Sequence, residues 1–361
     1  MLVCLAACLS TVIAALGFAA SADAAQTSKK AMWGPVRVNG VSQFPIYRNL
    51  GVGIYQIAVY WHSVAPVRPR KAADPADPAY RWPEEVSDAI QQARRYRMRV
   101  SIMVIGAPKW ANGGRPWNWA PRRPGDFADF TTAAARRYPS VKLWMIWGEP
   151  SRQPNFQPLT PAPHPRRLNA RQARAPKLYA RILDAAYGAL KRVRRRNLVI
   201  GGNTYTGGNP GSISTWAWIR YMRLPDGSRP RMDLYGHNPF SYRQPDFSNP
   251  PKCCGAADFS DLRRLARHID RYLPRSPRRR IPFFLSEFTI PTDSLDHEFN
   301  FYTTRTIQAR WIRRAFRYVR GWSRIYTLGW IHLYDVPNQT NGGLIDSRGR
   351  KKPGYFAFRN G

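Results

Sequence analysis

Short apolar runs of strand length alternate with segments of helical period about eight times between Ala31 and the C-terminus, and this alternation narrows the possible folds more than any other feature of the chain. Strands separated by helices pair in parallel, because a crossover of helical length carries the chain back to the same end of the sheet. The pattern predicts strands over residues 32–38, 53–61, 100–105, 141–147, 198–201, 233–236, 281–285 and 325–330. The fourth, VKLWMIW, is apolar apart from its lysine, as a strand covered on both faces must be. Helices are expected over 43–50 and 127–138, and after Trp82-Pro83-Glu84-Glu85, where Pro and acids open a turn and Val86, Ala89, Ile90 and Ala93 follow at helical spacing. Three more carry apolar faces at Leu178, Ile182, Ala185, Ala189 and Val193, at Leu262, Leu265, Ala266 and Ile269, and at Ala309, Ile312, Phe316 and Val319. A short helix over 353–358 ends the chain. An open doubly wound sheet would bring a Gly-rich phosphate turn after its first strand, and the sequence has none. The predicted fold is therefore α/β, a single-domain (β/α)8 TIM barrel.

Residues 1–24 are apolar and rich in small side chains, and Ala22-Asp23-Ala24 has the small-x-small form of a signal-peptidase site. They read as a signal peptide, with residues 25–361 as the catalytic domain of a secreted or envelope-associated protein that keeps no stable transmembrane anchor after cleavage. An uncleaved membrane anchor is the competing reading of the same segment. Export leaves only Cys253 and Cys254, which are adjacent and cannot build a four-ligand metal site. A vicinal disulfide and two free thiols both remain open.

Composition enters through charge. The 57 Lys and Arg face only 22 Asp and Glu, a net charge of +35, while 43% hydrophobic content supports a large core and excludes a disordered basic tail. Such a surface attracts polyanions: nucleic acid, anionic cell-wall polymer or anionic membrane. The Arg-rich runs at 94–99, 192–196 and 278–280 fall on outer helices or just before strands, where a solvated face would put them. No specific nucleic-acid partner is expected, and steep salt dependence of binding would be the sign of one.

The chain holds five glutamates, and two of them, Glu149 and Glu287, directly follow the fourth and seventh predicted strands. Both therefore project from the C-terminal rim of the barrel, where this fold carries its chemistry. Two carboxyls across one pocket suit general acid and nucleophile work. The six histidines are scattered without H-E-x-x-H or Cys/His ligand spacing, and no G-x-S-x-G elbow occurs, so neither a metal, another cofactor nor a serine nucleophile is expected.

Trp147-Gly148-Glu149-Pro150, Ser286-Glu287-Phe288 and Gly329-Trp330, with Pro108-Lys109-Trp110-Ala111, Gly343-Leu344-Ile345-Asp346 and Lys352-Pro353, resemble the retaining glycoside hydrolases of clan A, the cellulase-like family 5 and family 39 group. The resemblance covers nearly all of residues 25–361. It implies hydrolysis of O-glycosidic bonds in a polysaccharide or glycoconjugate, an anionic one if the basic surface selects it, with Glu149 as acid/base and Glu287 as nucleophile. Physics asks for the same division: the charge of Glu287 and burial beside Trp147 would raise the pKa of Glu149, and donors would keep Glu287 ionised. His237 resembles the pocket histidine of the sixth strand, although a core histidine satisfied by backbone fits the same pattern. Tyr235 or Tyr242 would support the nucleophile, Trp330 would be the sugar platform with Trp61 and Trp110 as outer walls, and Asn203 would bind a sugar hydroxyl. Two positions depart from the clan: Gly148 replaces the asparagine that binds the 2-hydroxyl, and Gln56 stands where an arginine is usual. Those departures give weight to a second reading, a catalytically silent barrel that binds cell-wall or anionic glycan.

Overall fold

The computed structural model describes residues 24–164, 166–241, 243–248, 255–273 and 280–361. The signal segment up to residue 23, Tyr242 and the Cys253–Cys254 pair lie outside the described residues. Eight strands close into a barrel: β1 Thr27–Trp33, β2 Val52–Tyr60, β3 Arg99–Ile105, β4 Leu143–Ile146, β5 Leu198–Tyr205, β6 Leu234–Asn238, β7 Phe283–Phe288 and β8 Ile325–Trp330. Every neighbouring pair is parallel, and β1 closes the ring against β8.

One principal helix follows each strand: α1 Phe44–Asn49, α2 Glu84–Arg95, α3 Pro124–Arg137, α4 Arg174–Val193, α5 Thr215–Tyr221, α6 Leu262–Tyr272, α7 Arg305–Gly321 and α8 Pro353–Asn360. None of the described helices is long and apolar enough to cross a membrane. The buried face of α4 is set by Tyr179, Ile182, Leu183, Ala186, Ala189 and Leu190, whereas Leu178, Ala185 and Val193, expected inward, are only half-buried. Leu183 packs over Gly201 of β5, which fixes this rotation of the helix.

Pleating sorts each strand into two cores. Ala31, Ile54, Leu143, Met145, Ile200, Leu234 and Phe284 fill the lumen, while the alternate residues Trp144, Ile146, Tyr235, Phe283 and Leu285 join the larger core under the helices. Each buried Leu, Ile, Met or Phe among them contributes about 1.5–3 kcal/mol through burial. The first strand begins five residues before its predicted start, and a two-residue hairpin, Arg37–Val38 with Val41–Ser42, occupies the end of the predicted span. Lys30 explains the shift. Its amine is buried between Phe316 and Phe358, donates to the carbonyls of Leu50 and Arg359, and has its pKa lowered to about 8 by desolvation and by the nearby Arg320.

Candidate active site

Both glutamates reach one cleft at the C-terminal rim, and each is aimed there by a local break in its strand. At the end of β4 the backbone enters the left-handed region at Trp147 (φ 67°) and again at Glu149 (φ 44°), conformations that cost about 1–3 kcal/mol each in a non-glycine residue. The break keeps the Trp147 indole in the outer core, donating to the Asn155 carbonyl at 2.7 Å, and turns Glu149 to the cleft. At β7, two steps along β8 from Leu328 to Trp330 match three along β7 from Leu285 to Phe288. That extra residue is a β-bulge at Ser286–Glu287, which re-aims Glu287 out of the strict alternation.

The cleft has a volume of about 310 Å3. Glu149 and Glu287 share it with Arg152, and its aromatic side is Tyr205, Phe240 and Phe299, with Phe240 and Phe299 at 5.5 Å between ring centres. His297 and Glu298 come from the loop after β7, and Ile331 from the end of β8. Among the described residues a larger cavity, about 420 Å3, lies at the opposite end of the barrel between α6 and the starts of β7 and β8. Its charged lining is Arg263, Arg267, Arg280 and Arg324 with Asp270, and it offers no pair of carboxyls. Chemistry in this fold belongs to the other end.

The two carboxyls stand in opposite surroundings. Glu149 Oε2 accepts from Arg152 Nη1 at 2.6 Å and from Asn155 Nδ2 at 3.4 Å, and Glu149 Oε1 accepts from Asn238 Nδ2 at 2.9 Å. Glu287 keeps a little exposure at the cleft floor, but its carboxyl is enclosed, and desolvation first, then the charge of Glu149, raises its pKa well above the usual carboxylate range. Arg152 and a hydrogen bond from Asn238 oppose that rise, and Glu298 adds to it. The sequence predicts the reverse, a raised Glu149 and a donor-rich Glu287. The difference comes from Arg152, three residues beyond Glu149, whose guanidinium the turn folds back onto Glu149 rather than onto Glu287.

Most of the expected sugar contacts fall elsewhere. His237 is fully buried, its Nδ1 within 2.9 Å of Thr204 Oγ1 and its Nε2 within 2.7 Å of the Ala257 carbonyl; desolvation lowers its pKa to about 4. It is a neutral core histidine and not a pocket wall. Pleating is the reason: Leu234 faces the lumen, so Asn238, four residues on, shares that face while His237 shares the outer face of Tyr235. Asn238 is the cleft residue that the sequence reading missed by one position. The Tyr235 hydroxyl is engaged with Thr204 Oγ1 at 3.0 Å and does not support Glu287.

Asn203 is buried in a second bulge, where Gly201 to Thr204 of β5 spans Tyr235 to His237 of β6. Its amide donates to the Trp147 carbonyl at 3.0 Å, bracing the strained end of β4 instead of meeting a sugar. Trp330 is likewise no platform: it is 1% exposed, packs edge-on against Phe288 and donates to the Gly342 carbonyl. Trp61 is buried against Trp110, Phe127 and Phe130, and Trp110 donates to the Ala65 carbonyl beneath Arg68. These tryptophans brace loops behind the rim. The cleft aromatics are Tyr205 at the last position of β5 and Phe240 and Phe299 in the loops after β6 and β7, all beyond the apolar runs that marked the strands.

The two departures from the clan are also explained by packing. A Cβ at Gly148 would stand 2.8 Å from Met103 Sδ and 3.3 Å from Ile105 Cδ1, so Met103 takes the room of an asparagine side chain. Gln56 is buried and ties β2 to β7, donating to the Ser286 carbonyl at 2.9 Å and accepting from Ser286 Oγ at 3.1 Å. It steadies the bulge that carries Glu287.

No protein-family model and no curated protein matches the chain. Solved structures do. A family 39 glycoside hydrolase from the gut symbiont Bacteroides cellulosilyticus WH2 superposes with a TM-score of 0.64 at 16% identity, over 93% of this chain and 63% of that one. A glucosidase from Croceicoccus marinus gives 0.63 at 14% identity, over 93% and 67%, and a monomeric β-xylosidase from Caulobacter crescentus CB15 gives 0.61 at 15% identity, over 94% and 68%. The chain thus spans about two thirds of the length of these proteins. At such identities the likeness is one of fold, and the fold is the (β/α)8 barrel of family 39 glycoside hydrolases.

Proposed function

We propose that the protein is a retaining glycoside hydrolase that cleaves O-glycosidic bonds of a polysaccharide or glycoconjugate outside the cytoplasm. The observation that carries this reading is that Glu149 and Glu287, delivered by the ends of β4 and β7, line one cleft at the C-terminal rim of the barrel. A retaining enzyme holds its two carboxyls about 5–5.5 Å apart, whereas an inverting one keeps about 6.5–9.5 Å to leave room for a water.

In the reaction a Glu287 carboxylate oxygen bonds to the anomeric carbon as the glycosidic C–O bond breaks, and Glu149 gives its proton to the departing oxygen. The ester at Glu287 carries no charge. Glu149 is then a base, taking a proton from the water whose oxygen replaces Glu287 at the anomeric carbon. Tyr205, Phe240 and Phe299 offer faces to sugar C–H groups. Export rests on the form of residues 1–24, and a preference for anionic glycans at low salt rests on the net charge of +35.

The test is labelling of purified residues 25–361 with fluorinated and epoxide-bearing sugars of several configurations, followed by peptide mass spectrometry. Label on Glu287, absent from Glu287→Gln, is the expected result. The Arg152 ion pair on Glu149 and the methionine in the place of the clan asparagine favour a second reading, a silent glycan-binding barrel. Glycan binding without label at any glutamate would establish that one.

A further inference from the structure

The retaining reaction needs its proton on Glu149 and its charge on Glu287, yet Arg152 holds Glu149 in an ion pair and the enclosed carboxyl is Glu287. A cation against the acid/base is a ground-state arrangement that something has to undo before the glycosidic oxygen can be protonated. Arg152 is placed to be drawn off. It is one-third exposed at the cleft and lies over the Tyr205 ring, 4.7 Å from its centre. Its contact with Glu149 is through Nη1, and its Nε is buried without a hydrogen-bond partner, so the guanidinium fork keeps an unused donor that a turn of the side chain would bring to an oxyanion.

The place of the missing anion follows from the pair itself. A glycosidic oxygen under protonation sits about 3 Å from Glu149, and Arg152 sits 2.6 Å from the same carboxyl, so an acidic group within about 6 Å of that oxygen reaches the guanidinium. Glu149 addresses the leaving-group side of the scissile bond. Resting on the retaining reading, the geometry points to Arg152 as a specificity-determining residue that recognises a carboxylate or sulfate on the leaving-group side of the scissile bond and, in turning to it, releases Glu149 to act as the acid. With the guanidinium drawn off, Glu149 is free to carry the proton. Glu287 is left as the anion that attacks, and the proton leaves with the departing oxygen.

The experiment compares phenyl and 3-carboxyphenyl glycosides of the sugar whose probe labels Glu287. The two phenols need protonation to nearly the same degree and differ in the carboxylate. The expected result is a kcat about tenfold or more higher for the carboxylated substrate, within the range that general acid catalysis supplies. Arg152→Gln should erase the preference and Arg152→Lys, which keeps the charge without the fork, should retain part of it. Equal kcat values in the unaltered protein, or a preference that survives Arg152→Gln, would overturn the inference while leaving the retaining reading intact. A preference seen in KM alone and removed by salt would also overturn it, since attraction by the basic surface accounts for that. If no probe labels Glu287 and no phenyl glycoside is cleaved, the retaining reading fails and this inference falls with it.

Discussion

The ends of β4 and β7 present the same residue to the same cleft, and the two could hardly be treated more differently. At β4 the chain turns back on itself through two left-handed residues and surrounds Glu149 with Arg152, Asn155 and Asn238. At β7 a single extra residue bulges from the strand and leaves Glu287 enclosed at the cleft floor, facing the charge of Glu149. Burial and like charge push the Glu287 carboxyl upward in pKa, while Glu149 stands in an ion pair with Arg152. Strand ends bring both residues to the rim, but their neighbours give them unlike surroundings.

The largest effect should come from removing the β7 side. Glu287→Gln is expected to lower kcat/KM at least about 10⁴-fold and to abolish covalent labelling, because it removes the carboxylate that the proposed reaction uses as nucleophile. Label that moves to Glu149 in the unaltered protein would invert the comparison and assign the nucleophile to β4. Next in size is Trp330→Ala, expected to cost about 3–5 kcal/mol in denaturant unfolding because it empties a site packed between Phe288 and Phe358. The folded variant should keep its KM. A raised KM with unchanged stability would restore Trp330 as a sugar platform.

The barrel was legible because parallel strands covered on both faces are nearly continuous apolar runs, and seven of the eight were placed within a few residues. The exception, β1, carries Lys29 and Lys30, and no local pattern announces that helix-end carbonyls will take up a buried amine. Glu149 and Glu287 were legible for the same reason as the strands that deliver them. Their surroundings were not. Period-two alternation decides between His237 and Asn238, and the phase of that alternation depends on which face of Leu234 meets the lumen. The bulges at Asn203 and Ser286 shift that phase again, and they arise from pairing with β6 and β8 and not from the bulged sequence alone. Arg152 is one of many arginines until the turn after β4 brings it back to Glu149.

His237 sharpens the contrast between the cleft and the wall behind it. Its pKa in the folded protein, about 4, lies below the unfolded value near 6.5, because burial disfavours the charged ring. Between those values the unfolded chain binds a proton that the folded one refuses, so stability falls as the pH drops from about 6.5 to 4, by a ceiling of about 3 kcal/mol. Urea unfolding across that range should show a shallower pH slope in His237→Gln than in the unaltered protein. Parallel slopes would mean that His237 charges in the folded state and belongs to the cleft after all.

The smallest effect, and the one that bears most closely on β4, is Gly148→Asn. This substitution restores the residue that the clan carries before its acid/base, and the structure predicts harm rather than gain. The new Cβ would press on Met103 Sδ at 2.8 Å, and the amide beyond it has no room until that thioether moves. Overpacking of this kind costs about 1–3 kcal/mol, toward the low end here because a methionine side chain is flexible. The double variant Gly148→Asn with Met103→Ala should recover part of the lost stability relative to Met103→Ala alone, a coupling that a double-mutant cycle in denaturant reads directly. Additive costs would mean that Met103 does not hold the place of the asparagine, and that Gly148 is required by the backbone of the β4 turn itself.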